Sequence, residues 1–125
     1  MYRIIAAFFL LVASVATSSA QPALFPSVWQ NQNGSILKVL ATGPAGNFNG
    51  VFINYGPPCP GAVYDVAGGM RGPLIQFQAW KAWSLDCKSV TVWRGRMIDP
   101  TTVVVKWVMT YGGRSVRGVD TFRRI

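Results

Sequence analysis

The residues on which a chemical function could turn are two cysteines, four aspartates and five tryptophans, and no histidine accompanies them. Without an imidazole there is no Cys/His zinc site and no Ser-His-Asp or Cys-His nucleophile. The chain has no glutamate either, so a glycosidase-type carboxylate pair would have to come from Asp65, Asp86, Asp99 and Asp120. Asp99 sits in an Ile98-Asp99-Pro100-Thr101 turn, while Asp65 and Asp86 flank loops, and no pair stands out. Catalysis therefore has almost nothing to work with: no catalytic residue, metal site or cofactor is expected.

Residues 1–20 read as a secretory leader. Arg3 supplies a positive start, Ile4 to Ala16 is apolar apart from Ser14, and Thr17-Ser18-Ser19-Ala20 offers small residues for cleavage after Ala20. The run is too short for a membrane span, which needs ~20 apolar residues. The expectation is one small domain, residues 21–125, secreted or periplasmic. In such an oxidising compartment Cys59 and Cys87 read as a structural disulfide.

The net charge is +8, with twelve lysines and arginines against four aspartates. These cations are scattered, and only Arg114, Arg117, Arg123 and Arg124 gather locally. A solvated surface explains this better than a dedicated polyanion site, so no specific nucleic-acid partner is expected.

The chain that must position these groups is a series of short β-branched and aromatic runs broken by Gly, Pro and Asn, without the 3.6-residue periodicity of an amphipathic helix. The pattern predicts eight strands: Val28–Gln32, Ile36–Ala41, Asn47–Ile53, Val63–Gly69, Leu74–Lys81, Ser89–Met97, Thr102–Thr110 and Gly118–Arg124. Short connections between them, including a Gly112–Arg117 loop before the last, make neighbours antiparallel. The fold class is all-β, an up-and-down barrel of eight strands, a size that holds one small ligand. Cys59 and Cys87 then lie in the loops after the third and fifth strands, at one open mouth.

Period-two alternation selects the inward side chains. Trp29 and Asn31 share a face, as do Phe48, Phe52 and Asn54, and Ser89, Thr91 and Trp93. Val103, Val105, Trp107 and Met109 form another such row, and Asp120, Phe122 and Arg124 the last. Tryptophans interleaved with isolated polar groups suit a small-molecule pocket better than a packed core, where an unpartnered Asp would be costly.

Motifs along the whole of 21–125 resemble the avidin/streptavidin family, and do so in the family's order. They are Trp29-Gln-Asn31-Gln-Asn-Gly34-Ser35, Gly46-Asn-Phe-Asn-Gly50, Ala79-Trp80-Lys81, Ser89-Val-Thr91-Val-Trp93, Trp107-Val-Met109 and Gly118-Val-Asp120-Thr-Phe122. The short last loop and the cysteine pair resemble its dimeric, disulfide-bearing bacterial members. The resemblance implies an avidin-like barrel whose ligand is biotin. Asn31 and Ser35 would donate to the ureido oxygen, and Asn54 and Asp120 would accept from the ureido N–H groups. Thr91 would face the ring sulfur and Ser89 the carboxylate, with Trp80, Trp93, Trp107 and Met109 as walls. The chemistry is consistent on its own terms, since a urea is one strong acceptor flanked by two donors.

The chain departs from the family pattern in three places. Phe52 stands where most members have a tyrosine whose hydroxyl is a third donor to the ureido oxygen. Phe77 is out of step with Trp80, so the fifth strand should carry a bulge. No tryptophan lies between Trp107 and Asp120, where tetrameric members supply a cap to a neighbour's site. Plainer roles also fit some residues: Trp29 packing near Arg124 at the closed end, Trp93 and Trp107 as core, and Asp120 paired with a buried arginine. Trp83 fits either a loop anchor or a lid. A homodimer is expected, because Val104 and Val108, and Val51 and Ile53, fall on outer faces. The alternatives to biotin are the same barrel tuned to another small ligand or a peptide, and a basic barrel binding anionic polymers.

Overall fold

The computed structural model describes residues 26–84 and 86–125. The expected leader and its cleavage point lie outside the described residues. Eight strands follow one another in the described chain: β1 (Ser27–Gln30), β2 (Ile36–Thr42), β3 (Asn47–Ile53), β4 (Val63–Arg71), β5 (Leu74–Ala82), β6 (Val90–Asp99), β7 (Thr102–Tyr111) and β8 (Arg114–Arg124). Each pairs antiparallel with the next, and β1 returns to pair with β8, so the sheet closes into a barrel.

The expected fold class is thus the observed one, with two boundaries that matter for the site. β8 begins at Arg114, four residues before the expected Gly118, and the expected loop shrinks to Gly112-Gly113. Both glycines have positive φ, 58° and 79°, the backbone of a two-residue hairpin whose twist matches its strands. Arg114 to Arg117, expected in that loop, pair with Tyr111 to Val108 and extend β8. β1 stops at Gln30, two residues early, because the Asn31 carboxamide captures the N–H groups of Asn33 and Ser35 and turns the chain.

That early stop leaves the β1–β8 seam with only two register pairs, Trp29↔Arg124 and Gln30↔Arg123. The Gln32 side chain continues the ladder in place of backbone. Its Oε1 accepts from Thr121 N–H at 3.0 Å, and its Nε2 donates to the Val119 carbonyl at 3.3 Å. An unpaired strand edge leaves backbone N–H and C=O groups open, and the Gln32 amide pairs two of them.

Three bulges interrupt the alternation, skipping Leu40 on β2, Trp80 on β5 and Ile98 on β6. All three residues point outward, with 57%, 48% and 57% of their surface exposed. The bulge at Trp80 resets the phase of β5, so Ile75, Phe77 and Ala79 all face inward.

The core occupies the lower barrel. Phe77 stacks on Trp93 with ring centroids 4.7 Å apart, and Phe52 meets the Trp93 ring edge-on at 4.8 Å. Phe122 completes the cluster with tilted contacts to Phe52, Phe77 and Trp93. Edge-to-face geometry at these spacings is the favoured arrangement of aromatic quadrupoles. Below them, Trp29 is buried and donates its indole N–H to Ser27 Oγ at 2.8 Å. It sits opposite Arg124 on the seam and lies outside the cavity, the structural role expected of it.

Candidate functional site

Above the aromatic cluster the barrel encloses a cavity of about 520 Å³, open at one end. Of the expected site residues, Asn31, Ser35, Phe52, Asn54, Ser89, Thr91, Trp93, Trp107, Met109 and Asp120 all line it. Trp80 does not. It is the outward residue of the β5 bulge, and Ala79 takes the inward place. A larger hollow of 810 Å³ follows the outside of β4–β6, between residues such as Gly69, Gln76 and Arg94. It is shallow, and the Arg94 Nε in it already donates to Gln76 Oε1 at 3.2 Å. The enclosed cavity is the better ligand site.

Asp120 is buried at the cavity floor with both carboxylate oxygens engaged. Gln32 Nε2 donates to Oδ1 at 2.7 Å, and Trp93 Nε1 donates to Oδ2 at 2.9 Å. Two donors on a buried carboxylate fix its orientation and offset its desolvation, and each oxygen keeps a lone pair for a further donor. The alternative of an arginine partner does not apply, since a glutamine and an indole take that place.

Asn31 and Ser35 are committed in complementary ways. Asn31 Oδ1 accepts from the N–H groups of Asn33 and Ser35 at 3.0 and 2.9 Å, so its Nδ2 is the end left to donate. Ser35 Oγ accepts from Tyr55 N–H at 2.9 Å, which leaves its hydroxyl proton to donate. The floor thus presents two donors beside one carboxylate acceptor, held before any ligand arrives.

Asn54 lines the cavity too, but most of its amide folds the β3–β4 loop. Nδ2 donates to the carbonyls of Gly56 and Cys59 at 2.6 and 3.1 Å, and Oδ1 accepts from Gly56 N–H at 3.1 Å. One lone pair on Oδ1 remains for a ligand N–H. Trp107 lies across Gly118, where an added Cβ would fall 2.2 Å from Trp107 Cζ2, so only glycine lets the indole lie flat there.

The four acids occupy separate places. Asp65 accepts from the Trp83 indole N–H at 3.0 Å, Asp86 lies in the β5–β6 loop, and Asp99 caps its own turn. The Thr101 backbone N–H, then its hydroxyl, holds the Asp99 carboxyl below the usual carboxylate value, with Arg123 adding to the effect. No group of three His, Cys, Asp or Glu within metal-binding reach occurs among the described residues. Trp83 is an anchor on β4, outside the cavity lining and 64% exposed.

The chain is 34% identical over 106 residues to afifavidin from Afifella pfennigii, a match covering 77% of this chain and 66% of that protein. Short afifavidin, solved without ligand, superposes with a TM-score of 0.71 at 30% identity, covering 83% of this chain and 99% of that one. The rhizavidin–biotin complex superposes with a TM-score of 0.69 at 29% identity, covering 86% and 92%. No protein-family model matches the chain. The chain belongs to the avidin family.

Within this avidin barrel, Cys59 and Cys87 form a disulfide across 28 residues, as expected. It joins the β3–β4 loop to the β5–β6 loop beside the mouth, where Gly56, Pro57 and Pro58 line the cavity. Several residues of the site were not expected from the sequence, among them Gln32, Tyr64 and Arg114. Alternation with Trp29 and Asn31 puts Gln32 on the outer face, and only the early end of β1 frees it to reach Asp120. Tyr64 faces inward opposite Phe52 and shares a hydrogen bond of 2.9 Å with Ser89 Oγ. Alternation with buried Val66 was the available signal for Tyr64. Arg114 lines the cavity from the first residue of β8, a strand the sequence had started too late to include it.

Proposed function

We propose that this avidin is a non-catalytic biotin-binding protein that takes its ligand into the open end of the barrel. The floor carries the reading. A ureido group is one acceptor oxygen between two N–H donors, and Asn31 Nδ2, the Ser35 hydroxyl and the Asp120 carboxylate present the complementary set. In this reading Asn31 and Ser35 donate to the ureido oxygen, while Asp120 and Asn54 Oδ1 each accept one ureido N–H. Thr91 faces the sulfur, and Trp93, Trp107 and Met109 enclose the bicyclic ring. Tyr64 and Ser89 hold two hydroxyl protons between them and use one on each other, leaving one for a ligand oxygen. Rhizavidin, a relative solved with biotin bound, supports the choice of ligand.

The same reading makes the protein secreted or periplasmic and dimeric. The leader-like residues 1–20 support the first. Outward Val108, 38% exposed on β7, and the half-buried Val51, Ile53 and Val104 support the second. Titration with labelled biotin is the deciding experiment: saturable binding at one site per chain, displaced by free biotin, is expected. Absence of binding at micromolar ligand would overturn the proposal.

A further inference from the structure

Resting on the biotin reading, we infer that Arg114 is a carboxylate-selecting residue at the mouth, so that the site prefers ligands with a free anionic tail over carboxamide-linked ones. Residues 114, 116, 118, 120 and 122 of β8 share its inward row, and Arg114, Val116 and Asp120 all line the cavity. One strand therefore carries an acid at the floor and a base at the rim, six residues apart, about 20 Å along the strand. Between them lie Val116, with Met109 opposite it, and Gly118 beneath Trp107. The row runs from polar acceptor through apolar wall to cation.

Arg114 also shares its level with the other end of the expected tail subsite. Tyr111 pairs with Arg114 across the Gly112-Gly113 hairpin, and Val90 pairs with Thr110. Ser89, one residue before Val90, is then level with Tyr111 and Arg114, two strands from Arg114, or about 10 Å along the sheet. An arginine side chain covers much of that distance. A ligand whose donors sit on Asp120 and whose chain passes Met109 and Val116 ends between the Tyr64–Ser89 hydroxyls and the Arg114 guanidinium.

Charge supports the assignment. Among the described residues, Arg114 and Asp120 are the only charged ones lining the cavity, and Asp120 is already held by Gln32 and Trp93. Among the described residues Arg114 has no hydrogen-bond or carboxylate partner. Its guanidinium offers a planar fork that matches a carboxylate and can only donate, so a neutral amide tail presents it with half the acceptor.

The test compares biotin with biotinamide, which keeps the rings and replaces only the carboxylate, in release assays on the full-length protein. Wild type should hold biotin roughly twofold to fivefold longer than biotinamide, the scale of a solvent-exposed charge pair. That preference should shrink in 1 M salt. Arg114→Gln should bring biotin release close to the biotinamide rate and speed biotinamide release much less, while Arg114→Lys should keep part of the preference. The inference is overturned if wild type treats both ligands alike, or if Arg114→Gln speeds both equally. Failure of either ligand to bind wild type is a different result, and removes the biotin reading itself.

Discussion

At the cavity floor Asp120, Asn31 and Ser35 each commit part of their hydrogen-bonding capacity to the protein, while at the mouth Arg114 commits none. The floor is built from strands and a tight turn, with donors and acceptors pointed before a ligand arrives, so little ordering cost is left for binding. The mouth is built from loops, and its two sides differ again. One is a long loop tied by Asn54 and the Cys59–Cys87 bridge; the other is the two-residue hairpin at Gly112-Gly113. A long loop needs ties because it has freedom to lose, whereas a two-residue turn has almost none. The floor should accordingly set affinity, and the mouth should set selectivity and retention.

The largest effect should come from the floor. Asp120→Ala removes the one carboxylate that lines the cavity among the described residues and takes away the acceptor of the Gln32 and Trp93 donors. Losing one charge-assisted hydrogen bond costs ~1.5–3 kcal/mol, so biotin affinity should fall by roughly a hundredfold. Calorimetric titration, with circular dichroism to show an intact barrel, checks this. A tenfold loss or less would mean that the floor is not where affinity resides.

A smaller gain is expected from Phe52→Tyr. The Phe52 ring edge packs on Trp93 at the floor, and a hydroxyl there would add a third donor beside Asn31 and Ser35. One added hydrogen bond to a buried oxygen contributes ~1 kcal/mol or somewhat more, so release of labelled biotin should slow about fivefold to tenfold. Equal or faster release would show that Phe52 does not face the ureido group.

The mouth should give the smallest change in binding. In Cys59→Ser/Cys87→Ser the long loop gains freedom, but the Asn54 hydrogen bonds still fold its start. Release should quicken by about threefold to fivefold, the cost of reordering a few side chains. Unfolding is a separate readout: opening a 28-residue cross-link removes ~3.5 kcal/mol on a chain-entropy account. An unchanged off-rate would assign the loop's order to Asn54 alone and break the proposed division between floor and mouth.

The sequence by itself determined the barrel, most strand positions, the disulfide and the inward faces of β3, β6 and β7. Alternation is a local property of the backbone, and it holds wherever the ladder is uninterrupted, as over Asn47–Ile53. Tertiary structure decided what happens where the ladder breaks. The β5 bulge turned Trp80 outward and Phe77 inward, which no count from one end of the strand could settle. The early end of β1 released Gln32 to close the seam and hold Asp120, a contact between residues 88 positions apart. Closure of β7 onto β8 drew Arg114 into the ladder and set it at the rim of the cavity. Residue type and spacing fix which side chains a strand offers, but bulges and closure depend on the neighbouring strand, and that neighbour is specified only in three dimensions.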